Sequence, residues 1–296
     1  MYLEHFSLKR PPFEAQPDSR FLFPTVQHQR GLAAITYAAC EGGEPVLLRG
    51  AAGCGKTLLL RALRRQLPRE QYRVVFVPEV ACSQVGLLKR VVYHLTHTVV
   101  PDTAAAMDVL VQQAAGSDQD GWAMVFMLDD WPIDADRDML AELRWLLNLD
   151  LEGRRLGVLL SGADVQPAEH WPGWLVQRLC ATAALGPLTP DELPAYITHR
   201  LSVAAAEADA TSPPPMPREI FAPAAMDLIA EWSAGVPRLA NRVAHLALRV
   251  AYLDLAGRVE PDAVRRAIDT LAPACDATPA REARIRAAAG MAGAVP

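Results

Sequence analysis

Eight consecutive residues, Gly50-Ala51-Ala52-Gly53-Cys54-Gly55-Lys56-Thr57, have the types and spacing needed to hold a polyphosphate. The glycines let backbone N–H groups turn inward onto phosphate oxygens, where a Cβ would obstruct. Lys56 carries a point charge suited to the β- and γ-phosphates, and the Thr57 hydroxyl is an oxygen ligand for Mg²⁺. The pattern is informative only between a strand and a helix. Its flanks supply that context: Pro45-Val46-Leu47-Leu48-Arg49 reads as a buried strand, and residues 57–67 read as a helix with an Arg-rich outer face. The helix start adds its positive end. Residues 50–57 are therefore expected to bind ATP with Mg²⁺ as a P-loop. Cys54 reads as a small residue at a tolerant position, with a redox handle as the alternative.

Downstream, Val125-Phe126-Met127-Leu128-Asp129 is an apolar run that ends in a carboxylate. In open parallel sheets ligands bind beyond the C-terminal ends of the strands, so Asp129 is the expected acid of the Mg²⁺ sphere. The alternative is an aspartate that caps the following loop.

Further elements must position these groups. Strands are expected at residues 45–49, 72–78, 122–128, 157–161 and 181–185. Helices are expected at 27–41, 57–67, 83–94 (with Ser83 as N-cap) and 136–149. Strands alternating with helices predict a parallel sheet covered on both faces. After Pro187 the pattern is helical only, at 190–206, 223–233, 237–255 and 260–271, with proline at or near each start. Residues 1–24, rich in Pro and Phe, read as an ordered extended arm. Residues 211–217 read as a surface loop, and 276–296 as a flexible tail.

Bulk composition narrows the function class. The 296 residues are 51% hydrophobic and 21% charged, with a net charge of −5. That balance gives no global attraction to nucleic acid or anionic membrane, although a local basic patch is compatible with it. Five cysteines without a C-x-x-C pair argue against a disulfide framework or a zinc site and fit a reducing compartment. Neither a signal peptide nor a membrane span is legible, so a cytoplasmic location is expected.

Three patches then carry a family resemblance. Met1-Tyr2-Leu3-x-His5-Phe6-x-Leu8, Pro12-Phe13, Pro17-Asp18-x-x-Phe21-Leu22 and His28 resemble the N-terminus of ExeA/GspA-type AAA+ ATPases, a family linked to type II secretion and pilus assembly. Leu185-x-Pro187-Leu188-Thr189-x-x-Glu192, with Tyr196-Ile197-x-His199-Arg200-Leu201, resembles the start of that family's helical lid. Gly235-x-Pro237-Arg238-x-x-Asn241 resembles its sensor 2 motif. The resemblance implies an α/β fold: a P-loop AAA+ core with a parallel sheet flanked by helices (1–187, including the arm), followed by an all-α lid (188–275). It implies ATP bound between core and lid, with Arg238 on the γ-phosphate. Arg178 stands where the family's trans-acting arginine finger is expected; a plain solvated arginine is the alternative. Ser161 is the sensor 1 candidate. A homo-oligomer, ring or filament, follows from the same resemblance.

The sequence also departs from the family. After the Walker B aspartate, Asp130 stands where a catalytic Glu is usual, and Glu79 stands where Asn is usual. Either could orient the attacking water, and slow ATP hydrolysis is expected. Secretion members often continue into a membrane span and a peptidoglycan-binding domain. This sequence shows neither, so a role at the envelope is expected to run through a protein partner. Three functions remain open: an ATPase that drives or times assembly of a secretion or pilus machine, an ATP-dependent DNA-binding transposition regulator resembling TnsC, TniB or MuB, and a nucleotide-gated adaptor. For the second, Arg61, Arg64, Arg65, Arg69 and Arg73 offer a basic stripe, which is otherwise a solvated helix face.

Overall fold

Apolar runs too short for helices build the sheet. In the computed structural model, which describes residues 2–42, 44–82, 85–120, 123–149, 156–164, 171–206 and 219–275, five strands form: β1 Val46–Gly50, β2 Tyr72–Val77, β3 Ala123–Trp131, β4 Leu156–Gly162 and β5 Ala181–Leu185. All pairs are parallel, in the order β2-β3-β4-β1-β5. Burial on both faces explains why these strands read as continuous rather than alternating apolar runs. All seven residues of β4 are buried, as are Met124 to Leu128 of β3. From the interior strand β1 the chain crosses to the edge strand β2 and returns through β3 and β4. The end of β1 is thus a switch point of the topology, where a ligand site is expected.

The helices in chain order are α1 Tyr2–His5, α2 Val26–Glu41, α3 Lys56–Gln66, α4 Leu87–Thr96, α5 Thr103–Asp120, α6 Arg137–Leu147, α7 Gly173–Val176, α8 Glu192–Ala205, α9 Pro223–Ser233, α10 Pro237–Leu253 and α11 Pro261–Cys275. None among the described residues is long and apolar enough to cross a membrane. Contacts divide the chain into two units, one of residues 26–50 and 56–185, the other of 1–25, 51–55 and 186 onward.

In the sheet unit, α2 lies over β1, β4 and β5. It approaches so closely that a Cβ on Gly157 would lie 3.0 Å from the carbonyl oxygen of Ala38. Leu88, Val91, Leu110, Leu143 and Leu146 from α4, α5 and α6 pack with Phe126 and Leu128. The helix expected from Ser83 begins instead at Leu87, with Gly86 at its N-cap; Ser83 itself lies outside the described residues. Its cap is tertiary, since the Leu88 N–H donates to Glu142 Oε2 of α6 at 3.0 Å. A side chain that distant in sequence leaves no local capping signal. Helix α5 has no counterpart in the sequence reading. Its one legible cue was Asp102, whose Oδ1 accepts from the Ala105 N–H at 2.8 Å.

In the helical unit, Thr189 and Glu192 form a reciprocal capping box before α8. The Thr189 N–H donates to Glu192 Oε2 at 2.9 Å and the Glu192 N–H to Thr189 Oγ1 at 3.2 Å. Prolines open α9, α10 and α11, where a missing N–H costs nothing. The N-terminal arm is not simply extended. It forms α1 and a 3₁₀ turn at Ser19–Phe21, and it groups with the helices rather than with the sheet. Phe6, Leu8, Phe13 and Phe21 are buried with Leu193, Ile197, Val243 and Leu248. The Lys9 and Arg10 N–H groups both donate to the Ala204 carbonyl, at 2.9 and 3.2 Å. The 211–217 loop and the 276–296 tail lie outside the described residues.

Candidate nucleotide site

The loop after β1 needs glycine for different reasons at different positions. A Cβ on Gly50 would lie 2.4 Å from the Leu185 carbonyl oxygen on β5. Gly53 and Gly55 have φ of +92° and +97°, which L side chains rarely adopt. Lys56, the first residue of α3, reaches back so that Nζ donates to the Gly50 carbonyl at 2.7 Å. Its ammonium is thus held at the carbonyl that closes β1. The Cys54 thiol is fully buried, out of reach of a solvent oxidant, which favours the small-residue reading.

Thr57, Asp129 and Ser161 come together. Thr57 Oγ1 donates to Asp129 Oδ2 at 2.7 Å, and Ser161 Oγ donates to Asp129 Oδ1. Asp129 and Ser161 are both buried. An ionised carboxylate in such surroundings is stable only with donors on its oxygens, and two hydroxyls provide them. This oxygen set suits Mg²⁺, which takes one or two protein oxygens and completes its shell with phosphate and water. Among the described residues no group of three His, Cys, Asp or Glu offers a rival metal cage.

The β3–β4 pairing shifts register between Leu128 and Trp131, and Asp130 occupies that irregularity with φ +58°. Trp131 is buried and pairs with Gly162, while Asp130 is exposed. A bulge of this kind re-aims a side chain. Among non-glycine residues, Asp and Asn tolerate the left-handed region best, because their short polar side chains bond locally. That is a physical reason for Asp, rather than Glu, at this position. The Asp130 N–H donates to Ser161 Oγ at 3.2 Å. Ser161 therefore holds both acids, a connection that its place at the end of an apolar strand did not reveal.

Glu79 also has a positive φ, +50°, and is exposed. The Arg90 guanidinium fixes its backbone by donating to the carbonyls of Pro78, Glu79 and Val80. Because Val77 pairs with Leu128, Glu79 and Asp130 each stand two residues past the last paired positions of neighbouring strands. Both carboxylates thus lie at the same end of the sheet.

Arg238 is the second residue of α10. Its N–H donates to the Gly53 carbonyl at 3.3 Å, and a Cβ on Gly53 would lie 2.8 Å from Arg238 Cβ. Gly235 precedes it with φ +74°, in a turn where a Cβ would meet the Leu188 carbonyl oxygen at 2.0 Å. Arg178 is held elsewhere. Its Nη1 donates to Asn148 Oδ1 at 2.6 Å and its Nη2 to the Leu147 carbonyl at 2.9 Å, at the C-terminal end of α6. The structure does not join it to the Thr57–Asp129–Ser161 cluster of its own chain. Of the basic stripe, Arg64, Arg65 and Arg69 are exposed, while the Arg61 guanidinium lies 5.9 Å from the Phe76 ring centroid.

A family model described as an AAA domain matches residues 40–166. General secretion pathway protein A of Aeromonas hydrophila is 28% identical over 261 residues, 85% of this chain. The chain spans less than half of that relative, 45% of its length. Among solved structures, the ORC2 protein of Aeropyrum pernix superposes with a TM-score of 0.68 at 17% identity, over 88% of this chain and 71% of that one. Cdc6p of Pyrobaculum aerophilum gives 0.65 at 17% identity, over 86% and 70%. The Thermotoga maritima RuvB T158V structure gives 0.54 at 19% identity, over 83% and 68%. At such identities the structures speak for the fold. With a match to an AAA domain at its centre and 28% identity to general secretion pathway protein A along most of its length, the chain resembles the ExeA/GspA type of AAA+ P-loop proteins.

Proposed function

We propose that the chain binds Mg·ATP at residues 50–57, hydrolyses it slowly, and assembles with copies of itself as it does so. The work done is to drive or time assembly of a secretion or pilus machine through a protein partner, from the cytoplasmic side where ATP is available. The observation that carries the reading is the Thr57–Asp129–Ser161 cluster, together with the Lys56 ammonium held at the Gly50 carbonyl that closes β1. The relationship to general secretion pathway protein A supports the cellular role.

In this reading the loop N–H groups and Lys56 bind the phosphates, and Thr57 and Asp129 would hold Mg²⁺. Bound there, Mg²⁺ would offset charge on the phosphate oxygens. Water attacks the γ-phosphorus, the bond to the bridging oxygen of ADP breaks, and the water proton passes to a carboxylate, Glu79 or Asp130. Arg238, placed at Gly53, supplies positive charge on the nucleotide. Lys56→Ala should lose nearly all affinity for Mg·ATP, because the ammonium opposes the phosphate charge. Wild-type affinity in calorimetry of that variant would refute the site.

A second reading, an ATP-dependent DNA-binding regulator, draws on exposed Arg64, Arg65 and Arg69. Two of the fold's neighbours, Drosophila ORC and the Aeropyrum pernix ORC1 protein, were solved with DNA. If it holds, duplex DNA binds with steep salt dependence, and replacing the three arginines by alanine lowers both affinity and slope. Binding unchanged by the triple variant removes it.

A further inference from the structure

Arg200 on α8 is a buried cation, 5% exposed, with no ion pair among the described residues. Burying a charge is costly unless hydrogen bonds and polarisable neighbours replace its water. Here its Nε donates to the Pro12 carbonyl at 2.6 Å and its Nη1 to the Tyr196 hydroxyl at 3.1 Å. Aromatic faces complete the surroundings: the guanidinium carbon is 4.7 Å from the Phe21 ring centroid, 5.6 Å from Tyr196 and 6.0 Å from Phe13. Three of these partners, Pro12, Phe13 and Phe21, belong to the N-terminal arm.

The chain of contacts continues. Tyr196, also 5% exposed, donates its hydroxyl hydrogen to Asn241 Oδ1 at 2.9 Å. Asn241 lies on α10, three residues after Arg238 and so about one helical turn further on. At the start of that helix the Arg238 N–H reaches Gly53, and the Val236 and Arg238 side chains leave no room for a Cβ there. The path runs from arm to Arg200, to Tyr196, to Asn241, and along α10 to the phosphate-binding turn.

We infer that Tyr196 and Arg200 are positioning residues for the nucleotide site, setting the azimuth and height of α10 so that Arg238 is held at the Gly53 turn. The arm is then part of the binding apparatus, since it supplies the carbonyl and rings that keep Arg200 buried. A hydroxyl and a guanidinium are needed because apolar side chains of the same shape would pack α8 on α10 without fixing rotation. The inference rests on Mg·ATP binding at residues 50–57.

The test is a double-mutant cycle on the full chain, read as the Kd for Mg·ATP by calorimetry alongside Tm. Tyr196→Phe keeps the ring and removes only the hydroxyl. It should weaken binding about fivefold, the factor that one hydrogen bond of typical net strength supplies. In an Arg238→Ala background the same change should leave Kd unaltered, while any cost in Tm persists in both backgrounds. Arg200→Lys, which keeps the charge but not the fork, should follow Tyr196→Phe; if it does not fold, the Tyr196 cycle decides alone. Equal weakening in both backgrounds makes the residues merely structural and overturns the inference. So does unchanged affinity in both. A wild-type chain that fails to bind Mg·ATP overturns the P-loop reading as well, a result distinct from a normal wild type with a silent Tyr196→Phe.

Discussion

The Ser161 hydroxyl donates to Asp129 and accepts from the backbone N–H of Asp130 at 3.2 Å. One buried oxygen therefore joins Asp129, the acid proposed for Mg²⁺, to Asp130, one of the two acids proposed for the attacking water. A sensor residue is expected to face the nucleotide, whereas this hydroxyl is wholly buried and already committed to protein groups. Its leverage is on the acids. Ser161→Ala would leave Asp129 with one donor fewer and the Asp130 N–H without its acceptor. The expected cost is about 1–3 kcal/mol of stability. Turnover should fall more than ATP affinity does, because the loop and Lys56 are untouched. Urea melts together with steady-state kinetics check both; a variant as stable and active as wild type would deny Ser161 this role.

Turnover itself depends on which carboxylate accepts the proton. Asp130 is short and fixed by a left-handed backbone; Glu79 is longer and stands at the matching position of the next strand. Glu79→Gln should lower kcat at least as much as Asp130→Asn, with ATP affinity kept in both, because an amide preserves shape but accepts no proton. Asp130→Gly should melt within a degree or two of wild type, since glycine accepts φ +58° freely. Asp130→Glu should lower stability by about 1 kcal/mol. Loss of all hydrolysis in Asp130→Asn, with Glu79→Gln at full rate, would assign the base to Asp130. No turnover above background in the wild type would leave a nucleotide-gated binder.

The two loop glycines should fail differently. Gly50→Ala drives a Cβ into the β5 backbone, an obstacle that no side-chain rotation relieves. A loss of about 1–3 kcal/mol is expected. Gly53→Ala combines φ +92° with a Cβ 2.8 Å from Arg238 Cβ, so it should also push α10 away. Its Mg·ATP affinity should drop further than its stability predicts. Thermal melts with and without nucleotide separate the two, since bound ligand raises Tm only where affinity survives.

Arg178 holds Leu147 and Asn148 in its own chain, a contact that a trans-acting role would have to exchange for a neighbour's phosphate. If it does, Arg178→Ala and Lys56→Ala subunits, each inactive alone, should regain hydrolysis when mixed. The intact arginine of one then serves the intact loop of the other. Light scattering should show larger species with ATP than without. A monomer under every nucleotide condition, or a mixture no more active than its parts, would return Arg178 to a helix-capping role.

Stability should also depend on two histidines in the helical unit. Burial, and then the neighbouring Arg200, push the His199 pKa below its ordinary 6.5, against an opposing bond with the Leu22 backbone; Nε2 has no partner. Burial and Arg249 likewise lower that of His245, which Glu14 opposes, and its Nδ1 has no partner. Because both are depressed in the folded state, the unfolded chain binds more protons below pH 6.5. Their stabilising contribution is complete above that pH and is lost as pH falls through the folded values. Tm should fall between pH 7 and 5, with a shallower slope in His199→Phe. An identical slope in wild type and variant would exclude His199.

The phosphate loop was legible because its chemistry is local. A polyphosphate needs glycines, a lysine and a hydroxyl within eight residues, and the strand and helix that present them adjoin in sequence. The strand carrying Asp129 was legible for the same reason, as a continuous apolar run leading to a carboxylate. The packing of the arm was not, because an aromatic-rich segment shows that it will be buried but not against what. The cap on α4 depends on Glu142, more than fifty positions away. The left-handed turn at Asp130 arises from the register shift of β3 against β4, a property of two strands together. That Ser161 holds two acids, and that Arg200 and Tyr196 lead to Asn241, required hydroxyls, carboxylates, an amide and a guanidinium distant in sequence to meet in space. Sequence sets the chemistry of each group; burial and hydrogen-bond partners, which come from folding, decide what that group can still do.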